Sequence, residues 1–172
     1  QVFPMLGGTI THDQDREIRR SVTGLTLLPP EIAADDLAAA EITIYLDPPL
    51  EAPCPLGVFR ITNSLRQKAV VLDDAGTVTD LLHVELADQF IRLRRSDEAP
   101  RFAYAGTDPA QAMATVIDED GVPAAVAGAA NAIAVDVMWA PFTRHDTFVS
   151  QLAELAGHRR PWADYNGVIR SV

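Results

Sequence analysis

Cysteine is almost absent. Cys54 stands alone among 172 residues, which excludes an internal disulfide and a cysteine-based zinc cluster. Lysine is equally scarce, with Lys68 beside thirteen arginines. Bases total 14 against 24 acids, a net charge of −10, and that balance argues against a protein that grips nucleic acid phosphates. Aromatic residues are only 6% of the chain. No apolar run approaches the ~18 residues a membrane-spanning helix requires. What is present is the stuff of a globular fold: 48% hydrophobic and 22% charged residues place the chain outside the disordered class. Its length suits one domain or two small ones and buries enough surface to fold without staples.

The first half reads as β-structure. Residues 9–13 and 17–28 form two expected strands around Asp13-Gln14-Asp15. In the second, Ile18, Val22 and Gly24 share one parity while Leu25 and Leu27 take the other, a change of face that predicts a β-bulge at Gly24. Pro29-Pro30 ends it, since proline cannot donate to a ladder. A short helix is expected over 31–40. Ile42, Ile44 and Leu46 alternate with Glu41, Thr43 and Tyr45 as in a half-buried strand. Residues 57–62 make another, with Phe59 and Ile61 inward. Strands over 68–72 and 77–86 flank Asp73-Asp74-Ala75-Gly76, a good hairpin turn. Five or six short strands joined by turns predict a small closed or half-closed barrel.

The pattern changes near Pro100. Asp108, Pro109 and Gln111 carry the signature of a helix start, with Ala110, Met113, Ala114 and Ile117 at helical spacing. Residues 122–132 are rich in alanine and glycine and show no decisive period. Thr143 is the expected cap of a second helix. Phe148, Val149, Leu152, Leu155 and Ala156 are its expected buried face and Gly157 its end. Trp139 is expected to share that core. Asn166-Gly167 signals a hairpin between 162–165 and 168–172. Gln1 in place of methionine, with a strand-like end at 168–172, leads us to expect a piece of a longer polypeptide.

The residues assemble no catalytic constellation. His12, His83, His145 and His158 are widely separated, and His145 reads as an exposed first-turn histidine. Catalytic zinc takes three protein ligands, and no sequence cluster supplies them. Cys54 lies between Pro53 and Pro55 with nothing nearby to lower its pKa. Asp73-Asp74 and Asp118-Glu119-Asp120 lack the alternating ligand spacing of a calcium loop and read as solvated turns. Arg16, Arg19 and Arg20, and again Arg92, Arg94 and Arg95, read as solvated or as ion pairs at a protein interface. Trp139 and Trp162 read as core. No catalytic, cofactor-binding or metal-ligating residue is therefore assigned, and no enzyme activity is expected.

A resemblance carries the reading further. Gly7-Gly8-Thr9-Ile10-Thr11-His12-Asp13 followed by Ile18-Arg19-Arg20-Ser21 is similar to the opening of siphophage minor tail proteins. These form the baseplate-hub, or tail-associated-protein, group, related to the myophage baseplate hub. Pro55-Leu56-Gly57-Val58-Phe59-Arg60-Ile61 resembles one of the group's strands. Arg101-Phe102-Ala103-Tyr104-Ala105-Gly106-Thr107 resembles the segment entering its first helical domain. Residues 139–157 and Asp164-Tyr165-Asn166-Gly167-Val168 resemble a later stretch. The chain departs from the group in residues 29–40, alanine-rich where relatives carry a polar loop. The group's chains are also usually far longer, with a second barrel beyond the point where this one ends.

With the pattern above, the resemblance implies an α+β protein. A small β-barrel hub domain over 1–98 is followed by an α/β domain over 99–172 with two helices and a β-hairpin. It further implies a homotrimeric component of the phage tail tip. The hub ring would join the tail tube, through the distal tail protein, to the tip. The tape measure protein and other tail-tip proteins would be its neighbours, and DNA would pass through in transit. Residues 1–100 hold nine bases and sixteen acids against five and eight in the rest, and an acidic wall repels passing phosphates. Two alternatives belong to other classes. One is a cell-wall hydrolase of a phage tail, and the other a carbohydrate-binding receptor module using Trp139, Trp162 and Tyr165.

Overall fold

The structure is a computed structural model and is described for residues 5–15, 18–27, 40–46, 52–69 and 79–172. The chain divides into two compact units, Gln1–Gln14 with Arg19–Asp88, and Asp15–Ile18 with Gln89–Val172. The helix expected over 31–40, Pro29-Pro30 and the Asp73–Asp74 turn lie outside the described residues.

The first unit is an antiparallel sheet of β1 (Met5–His12), β2 (Arg20–Leu27), β3 (Glu41–Leu46), β4 (Cys54–Ala69) and β5 (Thr79–Asp88), in the order β1-β2-β5-β4-β3. One face carries the core of Val22, Leu25, Ile44, Phe59, Leu82, Val84 and Leu86. Val22 and Leu25 are three residues apart yet both fully buried. Alternation permits that only through an extra residue, and the register shifts there. Gly24 sits in the shift with φ +65°, the left-handed backbone glycine adopts at no steric cost. A second shift, opposite Ile44 and Tyr45, puts its extra residue, Leu56, in β4. Leu46, the last residue of β3, is exposed where simple alternation puts it inside. Gly57 lies under the Phe59 ring. A β-carbon there would come within 2.8 Å of that ring and 2.9 Å of Arg20 Nη1.

The expected small β-barrel hub domain is not what folds. Among the described residues β1 pairs only with β2, and β3 only with β4, so the five-stranded sheet is open at both ends. The strand expected over 57–62 lies within the 16-residue β4, which also takes in Lys68 and Ala69 of the strand expected over 68–72; residues 70–72 lie outside the described residues. The polar run Thr62-Asn63-Ser64 is the exposed middle of that strand, where Asn63 and Ser64 pair with β5 and Thr62 sits in a shift of register. Among the described residues no pairing joins β1 to β3, and a barrel closes only when strand number, tilt and shear agree.

The second unit is likewise built on open sheets, not on the expected α/β domain appended to a barrel. β6 (Arg101–Ala103) pairs antiparallel with β8 (Val137–Trp139). β7 (Ala124–Val126), β10 (Ile169–Ser171) and β9 (Trp162–Ala163) form a mixed three-stranded sheet. Around them lie a 3-10 helix, Gln89–Arg94, and helices α1 (Pro109–Glu119) and α2 (His145–Ala156). The core joins Phe90, Met113, Ile117, Trp139, Phe148 and Leu152 among others, and Trp139 meets Phe148 edge-on at 4.1 Å between centroids.

Local chemistry sets the element ends. Asp108 accepts from the Ala110 backbone N–H at 2.9 Å and Pro109 opens α1. Gly157, at φ +76°, ends α2 in a Schellman turn: its N–H reaches Glu154 O at 3.0 Å and that of His158 reaches Ala153 O at 2.8 Å. The N-cap of α2 is Arg144, not Thr143. Thr143 instead donates its hydroxyl to Ala140 O, and Leu155 is 46% exposed rather than core. The β9–β10 hairpin turns through a three-residue loop. Gly167 N–H bonds Asp164 O at 3.0 Å and Gly167 takes φ +76°, so Asn166 needs no positive φ.

Candidate functional site

The most concentrated polar chemistry lies in the second unit. Three segments converge there: residues 95–101 leading into β6, the C-terminus of α1 and the N-terminus of α2. Backbone contacts zip the first to the last. Phe142 N–H donates to Asp97 O at 2.8 Å and His145 N–H to Arg95 O at 2.9 Å, with an antiparallel bridge between Ser96 and Arg144.

His145 is fully buried at their meeting point. Its Nδ1 faces Asp120 Oδ2 at 2.8 Å. Its Nε2 lies 3.2 Å from Asp97 Oδ2 and 3.3 Å from Arg101 Nη2. Nε2 donates to Asp97 when it carries a proton and accepts from Arg101 when it does not, so the ring is held in either state. Arg101 binds Asp97 through Nε at 2.7 Å and Glu119 through Nη2 at 2.6 Å, and stands over the Phe148 ring. Partial desolvation disfavours the Arg101 charge, but hydrogen bonds to Glu119 and Asp97 outweigh it and hold the guanidinium more firmly protonated than usual. Desolvation likewise raises the Asp97 carboxyl, and the bonds from Arg101 and His145 overcome this to leave it below the ordinary aspartate range. Asp146, also buried, accepts from Thr147 N–H at 2.6 Å and from Arg144, an acid at a helix N-terminus.

Chemically this is a clasp. A general acid or base must reach the proton it moves, and His145 has no exposed surface. Two expectations are corrected here. His145 is buried rather than an exposed first-turn histidine. Asp118-Glu119-Asp120 is not simply a solvated turn, since Asp120 is buried and Glu119 holds Arg101. No sequence signal links Asp97, Asp120 and His145, which lie dozens of residues apart and meet only in the fold.

The other candidates stay apart. His12 is exposed at the end of β1. His83 pairs through Nδ1 with Thr26 Oγ1 at 3.1 Å. His158 sits at 3.0 Å from Ser171 Oγ, beyond the opposite end of α2 from His145. Cys54 is exposed. Among the described residues no group of three His, Cys, Asp or Glu side chains is placed to hold a metal. Arg16 lies outside the described residues. Arg20 is buried rather than solvated, donating from Nη1 to Leu56 O at 3.1 Å and from its backbone N–H to Asp88 at 2.9 Å. Trp139 is buried, Trp162 half-buried and Tyr165 exposed, so the three do not form one ring platform. No helix among the described residues is long and apolar enough to cross a membrane.

No family model matches the sequence, and no curated protein does. Among solved structures, the whole chain superposes on part of a phage tail protein. That structure is the 43 kDa tail protein of prophage MuSo2 from Shewanella oneidensis, matched with a TM-score of 0.62 at 10% identity over 100% of this chain and 49% of that one. The chain thus spans about half the length of this structural neighbour. At that identity the likeness is one of fold.

Proposed function

We propose that the chain is a structural component of a bacteriophage tail. The observation that carries this is the superposition of the entire chain, both units in order, on a prophage tail protein. The resemblance of residues 7–13, 18–21 and 55–61 to minor tail proteins supports the same reading. Within it we propose the finer role of a tail-tip hub component. The chain would act without enzymatic activity, in a threefold assembly beside the distal tail and tape measure proteins, around the path of the DNA. The acidic surplus of residues 1–100 suits that path.

Immunogold labelling of particles from the phage or prophage that encodes the chain tests this reading. The expected result is gold at the tip end of the tail. Gold on the capsid, or none on intact particles, would contradict it.

A further inference from the structure

The segment between the 3-10 helix and β6 has no hold on the core of its own. Leu93 and Ala103 are buried on either side of it, but no side chain among residues 94–102 is buried. A stretch with so little apolar burial lies at the low end of local stability. Polar bonds fasten it to α2 and to the loop before that helix. Phe142 N–H donates to Asp97 O at 2.8 Å and His145 N–H to Arg95 O at 2.9 Å, and Ser96 bridges to Arg144. His145 is the first residue of α2, where an N–H has no acceptor inside its own helix. Its amide is protected by this segment alone.

Asp97 is the centre of the attachment. Its Oδ2 meets Arg101 Nε at 2.7 Å and His145 Nε2 at 3.2 Å, and Arg95 Nη2 stands 3.8 Å from its Oδ1. The remaining charges here pair with one another. Glu119, at the end of α1, holds Arg101. Asp120 faces His145 Nδ1 and Arg95, and Arg144 pairs with Asp146. Residues 137–139 of β8 bring no charge, and Glu98 is exposed to solvent. With 27% of its side chain exposed, Asp97 is open to protons from solvent. A proton on its carboxyl removes the negative charge between Arg95, Arg101 and His145. It also turns charge-assisted bonds into bonds of about half the strength.

We propose that residues 95–100 are an acid-released strap. When Asp97 takes up a proton, the strap lifts from α2 and uncovers the Nε2 side of His145, while both helices and the core beneath them stay folded. The sign follows from the carboxyl, which its partners hold below the ordinary value of 3.8. The strap is fully fastened above that value and is released as pH falls through the lower, closed-state one. This inference stands on the second unit alone and holds whether or not the chain works in a phage tail.

Hydrogen exchange of the full chain, followed amide by amide between about pH 7 and about pH 3, tests it. Protection of the Phe142 and His145 amides should fall at least tenfold more than that of Leu152, inside α2. Asp97→Asn keeps the shape and removes the charge. It should produce the same loss at neutral pH, abolish its pH dependence and let diethyl pyrocarbonate modify His145 at least tenfold faster. Glu98→Gln, on the same strap but outside the clasp, should do none of these. Loss of protection at Phe142 and His145 only in step with Leu152, or no loss across that pH range, would overturn the proposal. So would an Asp97→Asn variant that keeps both amides protected and His145 unreactive.

Discussion

His145 shows what one side chain can hold together. Its ring is fully buried between Asp120 and Asp97, and removing it takes from the buried Asp120 carboxylate its hydrogen-bond partner. His145→Ala is therefore expected to lower stability by about 3 kcal/mol or more, measured by urea denaturation. A loss below about 1 kcal/mol would mean that the carboxylates find other partners. Two aspartates set the acid limit. Asp97 and Asp164 titrate below the ordinary value of 3.8. For Asp164, burial pushes upward, while Arg170 and the N–H groups of Val168 and Asn166 pull further downward. A depressed folded-state value contributes stability that is complete above the unfolded value and lost as pH falls through the folded one. Stability should thus decline below about pH 5. Asp164→Asn should cost about 1–2 kcal/mol at neutral pH and flatten that decline. An unchanged acid limb in the variant would contradict this account.

At the scale of elements, each core rests on one or two large rings. Phe59 is fully buried in the five-stranded sheet with Arg20 over its face, and Trp139 packs on Phe148 in the second unit. Truncating either to alanine should cost ~3–5 kcal/mol in thermal or chemical unfolding. An unfolding midpoint unmoved by Phe59→Ala would place the core elsewhere. Gly57→Ala should destabilise by ~1–3 kcal/mol, because the added carbon meets that same ring at 2.8 Å. Features written in short-range chemistry were legible in the sequence. The bulge at Gly24, the cap at Asp108, the stop at Gly157 and the turn at Gly167 each need one residue type in one backbone conformation. Features set by distant partners were not legible. The exposed middle of β4 reads as a loop until β5 lies beside it. The open edges of β1 and β3 depend on what each strand finds to pair with. Asp120 reads as one acid in a polar run until His145 covers it.

For the whole molecule, the open sheets and the acidic surplus bear on assembly together. A net charge of −10 sets copies of the chain against each other. The 172-residue chain should therefore scatter light as a monomer of 18.6 kDa at micromolar concentration. A stable trimer or hexamer of this chain alone would show that the proposed threefold assembly needs nothing more than these residues. Its fold is that of about half of a larger prophage tail protein.

Quantitative mass spectrometry of head-free tails, purified from the phage or prophage that encodes the chain, tests the central claim most directly. The account predicts peptides from both units, at a constant and small copy number relative to the tail-tube subunit across preparations. Their absence from purified tails, with the protein recovered instead in the soluble fraction of the lysate, would contradict it.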